Sequence, residues 1–189
     1  MQAPVSYKLK EQQLWLSADR CIYWEEQKVL IVSDLHFGKT GHFRKSGIAV
    51  PQSVYKKDLQ RLFDQVQFFK PRKLIVVGDL FHSRENKELE LFLKWRNDFP
   101  DLEIDLVRGN HDILHMDWYK QAGIHVVEDE LQITHFRFRH DKEIALQGKL
   151  PYLFSGHIHP GVYISGKGKQ SLRLPCFYFA REFCVLPAF

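Results

Sequence analysis

The chain has 189 residues, of which 44% are hydrophobic and 14% aromatic, and carries a net charge of +4. Such a composition excludes a disordered chain and is enough for one domain, residues 1–189, with a substantial core. The mild positive charge leans towards anionic partners, phosphate esters and nucleic acid among them, but falls well short of a DNA-coating protein.

The first thirty residues alternate short strand-like runs with turns, at 5–9, 13–16, 21–24 and 29–33. A loop with two glycines and several cations follows, from which Pro51 opens a helix to about residue 69. Val54, Leu59, Leu62, Phe63, Val66 and Phe69 recur at helical spacing and give it one buried face. A strand at 73–77, a helix at 86–97 and a strand at 102–107 come next, then a short helix at 116–121. This strand–helix alternation predicts parallel strands with right-handed crossovers. From Ile124 onward short strands dominate and are expected to be antiparallel. The fold class predicted is α/β, a four-layer sandwich of two mixed β-sheets flanked by helices.

Cys21, Cys176 and Cys184 are irregularly spaced and form no CxxC pair, so neither a zinc ribbon nor a disulfide framework is indicated. Cys176 and Cys184 read as buried apolar side chains, and the four tryptophans as core. The N-terminus lacks an apolar signal region, and no apolar stretch reaches the length of a membrane span. A cytoplasmic protein with no membrane association is expected.

Five short blocks of metal-binding side chains recur in order: Asp34-Leu35-His36, Gly78-Asp79, Gly109-Asn110-His111-Asp112, His140, and Gly156-His157-Ile158-His159. Four of them directly follow apolar, β-branched runs, which would bring the ligand-bearing loops to one sheet edge. Oxygen and imidazole donors without thiolate suit Mn, Fe or Zn. Singly each block is an ordinary turn; all five in order indicate a two-metal enzyme. Two divalent ions roughly 3.5–4 Å apart polarise a phosphoryl oxygen and generate hydroxide near neutral pH. Asp79 is the choice for the shared ligand, because a carboxylate offers two oxygens. Asp34 and His36 are expected to project from one side of an extended segment and bind one ion together. His157 and His159 share a side in the same way, one for each ion, and Asn110 adds a neutral amide oxygen. His111, beside Asn110, is suited to protonate a leaving alkoxide, with Asp112 orienting its ring.

The ordered set resembles the calcineurin-like metallophosphoesterase superfamily. The resemblance implies that one ion takes Asp34, His36, Asp79 and His159, and the other Asp79, Asn110, His140 and His157, with His111 catalytic. His135 also falls in the interval of the lone histidine; His140 is preferred because it ends the strand begun by Phe136 and Phe138. Residues 21–24, 34–39, 108–112, 173–177 and 185–189 are similar to the DNA ligase-associated branch of that family. This narrower likeness implies a manganese-dependent phosphodiesterase, a DNA repair endonuclease working beside a DNA ligase, a DExH-box helicase and an exonuclease. The same ligand set admits Fe, Zn, Co or Ni.

Candidate substrate contacts are Lys39, Arg44 and Lys45, in the loop leaving the first block, and His82 and Arg84, just after Asp79. Lys167, Lys169 and Arg173 read first as a solubilising hairpin tip. Hydrolysis of a small phosphoester (a cyclic nucleotide, a nucleotide-sugar pyrophosphate or a phosphomonoester) is the alternative, and a non-catalytic scaffold a remote one.

Overall fold

A computed structural model describes residues 2–37, 53–82, 86–141, 151–166, 168 and 170–189. The elements are β1 (Val5–Leu9), β2 (Gln12–Leu16), β3 (Ile22–Trp24), β4 (Val29–Ser33), α1 (Ser53–Phe69), β5 (Lys73–Val77), α2 (Asn86–Asn97), β6 (Glu103–Val107), α3 (Met116–Gln121) and β7 (Ile124–Val127). They continue with β8 (Leu131–Ile133), β9 (Phe136–Arg139), β10 (Tyr152–Ser155), β11 (Gly161–Ser165), β12 (Ser171–Pro175), β13 (Tyr178–Phe179) and β14 (Phe183–Val185).

Strands β1 to β7 form one sheet in chain order, antiparallel up to β4 and parallel from β4 to β7. The second sheet has the order β13-β14-β10-β9-β8, and β11 and β12 make a separate ribbon. The apolar runs of β4, β5 and β6 are covered on both faces, which is why they read as continuous hydrophobic segments. Leu30, Val32, Leu74, Val76, Ile104 and Leu106 face the helices, together with Leu62 and Val66 of α1 and Phe92 of α2. Val29, Ile31, Ile75, Val77 and Val107 pack instead against Phe136, Phe138, Tyr152 and Phe154 of the second sheet.

Register places the site. Ser33 pairs with Val77, and Val77 with Val107, so β4, β5 and β6 end level and release Asp34, Gly78 and Arg108 at one edge. In the second sheet Ser155 pairs with both Arg139 and Val185, so β9, β10 and β14 also end level. These three run parallel to one another, whereas the sequence reading expected antiparallel pairing after Ile124. The difference has a topological reason: His140 and Gly156 can leave the same edge only if both preceding strands point the same way. Trp24 and Trp95 are buried, but Trp15 and Trp118 are only partly so, and Trp15 Nε1 donates to Glu25 Oε2 at 2.6 Å. Among the described residues no helix is long and apolar enough to cross a membrane.

Candidate metal centre

Beyond the level strand ends the backbone turns sharply. Asp34, His36, Asp79, His157 and His159 all have left-handed φ, between 47° and 66°. Side chains other than glycine adopt this region rarely and at a cost, and such residues cluster at functional sites. The ligand-bearing segments are therefore not the extended ones the sequence suggested; alternate residues kink, and this kinking aims the side chains. Parallel pairing continues through the kinks, with Asp34 N–H donating to Gly78 O, His36 N–H to Asp79 O and Phe37 N–H to Leu80 O at 2.8–3.2 Å.

Two groups of ligand atoms result, Asp34–His36–His159 and Asp79–His140–His157, each with its atoms within 4.8 Å of one another. In the first, Asp34 Oδ1 lies 3.2 Å from His159 Nε2 and 4.0 Å from His36 Nε2. Asp34 Oδ2 is occupied otherwise: Ser33 Oγ approaches to 2.5 Å and the His157 amide donates to it at 3.0 Å. Asp34 Oδ1 is buried with no hydrogen-bond partner, the position of an atom meant for a cation.

The second group centres on His140 Nε2, which has Asn110 Oδ1 at 3.2 Å, His157 Nδ1 at 3.3 Å and Asp79 Oδ2 at 3.4 Å. Its other nitrogen, Nδ1, lies 3.3 Å from Val77 O, which accepts a proton carried there and so leaves Nε2 available to a cation once that nitrogen is deprotonated. Donor atoms about 2.1 Å from a shared ion stand roughly 3–3.5 Å apart, so oxygen and imidazole donors at these spacings fit a divalent cation.

Asp79 joins the groups through one oxygen. Its Oδ1 accepts the His111 amide at 2.9 Å, while Oδ2 faces both His140 Nε2 and, at 3.8 Å, His36 Nε2. If two ions were held here, Asp79 would be placed to share its Oδ2 between them, while Oδ1 is taken by the His111 amide. Burial opposes ionisation of Asp79, but the hydrogen bonds from His140 and the His111 amide, with the charges of His140 and His36, hold its carboxyl down at about 2. It is an anion throughout the neutral range.

The glycines of the blocks have a steric reason. A Cβ on Gly78, where φ is 78°, would fall on the His140 ring; one on Gly109 would meet the Asp79 carboxylate; one on Gly156 would meet Ser33 Oγ and Asp34 Oδ2. Each glycine thus makes room for a ligand, or a ligand's hydrogen-bond partner, from a different block.

His111 is half-buried beside the cluster. Its ring centroid is 4.4 Å from that of His82 and 5.5 Å from that of His36, and His36 and His82 are 5.4 Å apart. His82 is thereby the proposed substrate contact that comes to the site. Lys39, Arg44, Lys45 and Arg84 lie outside the described residues. His135 sits exposed in the turn between β8 and β9, away from the cluster, while His140 is 5% exposed within it.

Asp112 takes a different place from the one expected. Its Oδ1 accepts the amides of Leu80 and Phe81 at 2.9 and 3.2 Å, and Oδ2 that of Gly109 at 2.9 Å. The carboxylate pins the Asp79 loop to the Asn110 loop and does not bond the His111 ring. Its carboxyl is pushed up to about 6 by burial, against the lowering influence of those amides. Arg108 braces the same loop, donating to Asp112 O at 3.2 Å and to Glu128 Oε2 at 3.0 Å. Sequence reasoning missed Ser33, whose hydroxyl lies 2.5 Å from Asp34 Oδ2 and 2.8 Å from Val77 O. The signal was a polar residue closing an otherwise apolar strand.

Paired cation positions of this kind serve hydrolysis at phosphorus, and fold and cluster together define a metal-dependent phosphoesterase. The family model for calcineurin-like phosphoesterases matches residues 27–141, and the chain belongs to that family. Among solved structures it is similar to the crystal structure of Pseudomonas putida nuclease MPE, at 29% identity and a TM-score of 0.83, covering 98% of this chain and 86% of that one. No curated protein matches the chain.

Proposed function

We propose that this phosphoesterase is a phosphodiesterase that cleaves nucleic acid strands internally, DNA foremost, with two manganese ions. The observation that carries the reading is the likeness to a nuclease over nearly the whole chain. The exposure of Asn110 and His157 at the rim of the cluster supports it, since a polymer needs an open site. The ligand set is Asp34, His36 and His159 on one side, Asn110, His140 and His157 on the other, with Asp79 between them. Ions held there supply Lewis acidity to the phosphoryl group and to an attacking water.

The chain's own residues do the rest. His140 is oriented by Val77 O, and Asp34 by Ser33 and the His157 amide. His111 gives a proton to the leaving alkoxide oxygen, with His82 beside it against the substrate. Service in DNA repair, in the cytoplasm and beside a ligase, helicase and exonuclease, is part of the same proposal and rests on the sequence likeness to the ligase-associated branch.

The test is a paired assay of metal-stripped protein reloaded with manganese, using a single-stranded DNA oligonucleotide and bis-p-nitrophenyl phosphate, with Asp79→Ala as the blank. Internal cleavage of the oligonucleotide is expected. Cleavage of the small diester alone would retain the metal chemistry and transfer the substrate to a small phosphoester.

A further inference from the structure

The ribbon of β11 and β12 springs directly from the His157–His159 block. Its register pairs Gly161 with Pro175, Tyr163 with Arg173 and Ser165 with Ser171 on one face. Val162 and Leu174, and Ile164 and Leu172, occupy the other. Tyr163 is 66% exposed, and the Arg173 guanidinium carbon lies 5.6 Å from its ring centroid. Arg173 also reaches back to the metal block, its Nη2 donating to His159 O at 3.5 Å. Gly161 leaves space for that reach, because a Cβ there would come within 2.9 Å of Arg173 Nε.

Charge points the same way. Residues 144–181 contain Lys149, Lys167, Lys169, Arg173 and Arg181 and no Asp or Glu. An exposed aromatic stacked by arginine, set in an acid-free stretch beside a phosphodiester-cleaving centre, has the chemistry that binds single strands: bases stack on the ring and guanidinium, and cations follow the phosphates. A small phosphodiester that only fills the metal centre has no use for it.

We infer that the Tyr163–Arg173 face of the ribbon is a stacking platform that holds an unpaired nucleotide flanking the scissile phosphate, and so selects polynucleotides over small diesters. The inference rests on the polynucleotide reading of the site and adds the residues that enforce it. Tyr163 contacts substrate without entering the chemistry, and the aliphatic face behind it has no part in this selection.

The experiment compares manganese-loaded wild type, Tyr163→Ala, Tyr163→Phe and Val162→Thr, measuring kcat and KM on a single-stranded oligonucleotide and on bis-p-nitrophenyl phosphate. Tyr163→Ala is expected to raise KM for the oligonucleotide about tenfold, the usual weight of one base stack, and to leave the small diester unchanged. Tyr163→Phe keeps the ring and should behave as wild type, as should Val162→Thr on the opposite face. Unchanged oligonucleotide kinetics in Tyr163→Ala would overturn the platform, as would equal losses on both substrates or an equal loss in Val162→Thr. A wild-type enzyme that cleaves the diester but no oligonucleotide would instead remove the polynucleotide reading itself, a distinguishable result.

Discussion

His111 and Asp79 are joined through the backbone: the His111 amide donates to Asp79 Oδ1 at 2.9 Å, which turns Oδ2 towards both groups of ligands. The ring of His111 is free of that task. Replacing His111 by alanine keeps the amide, so both metals should remain bound while kcat falls by about 10²–10⁴, the usual contribution of a general acid. Asp79→Ala should lose both metals and all turnover. Metal analysis of the two purified variants separates the outcomes, and loss of metal from His111→Ala would contradict the assignment.

Glycine substitutions test the steric account of the blocks. Gly78 and Gly168 both have positive φ, 78° and 94°, but only Gly78 has a ligand in the way of a Cβ. Gly168→Ala should cost about 1 kcal/mol from backbone strain alone. Gly78→Ala adds displacement of the His140 ring, for about 2–4 kcal/mol together, and should empty the cation position that His140 serves. Thermal melts with metal titration read both numbers.

Asp112→Asn should act through stability. An amide in that place presents a donor where the Gly109 amide also donates, and loses the charge that strengthens three buried bonds. A cost of about 2–3 kcal/mol corresponds to a fall in Tm of roughly 5–10 °C for a chain of this size. Weaker metal retention should accompany it as the two loops separate. Lost turnover at unchanged Tm would return Asp112 to the role of orienting an imidazole.

Acid–base behaviour of the metal-free protein has a definite sign. Burial disfavours charge on His140, but the hydrogen bond and charge of Asp79, helped by Asp34, raise it above its ordinary 6.5. Asp112 is raised from 3.8 to about 6. For these two groups the folded state holds more protons than the unfolded state, Asp112 between about pH 4 and 6 and His140 above 6.5, and stability declines as pH rises through each window. Asp79, depressed from 3.8 to about 2, adds stability above 3.8 that is lost as pH falls towards 2. Manganese needs unprotonated His140, so the gain in Tm on adding metal should shrink from pH 8 to pH 5.5. Melts of chelator-treated and manganese-loaded protein check both slopes; a metal-free Tm that climbs from pH 5 to 7 would oppose them.

The helix at 86–97, the strands at 29–33 and 73–77, and the short helix at 116–121 were legible because each is a local pattern of apolar periodicity with its own stops. The order of the five blocks was legible for the same reason, since each sits directly after such a strand. The direction of β9, β10 and β14 was not, because parallel or antiparallel pairing of short strands depends on connections rather than on composition.

By itself the sequence determined which side chains were available to a metal centre, and that strand ends would carry them, because donor chemistry and apolar runs are properties of neighbouring residues. Tertiary structure alone decided how those donors are arranged. That Asp79 turns one oxygen to the His111 amide and the other to His36 and His140, that Asp112 bonds backbone amides rather than an imidazole, and that Gly78 must leave room for His140 all follow from left-handed kinks at strand ends and from register between distant segments. His157 and Asp34 meet across 123 positions of chain, and only the packing of one sheet on the other brings them within a hydrogen bond.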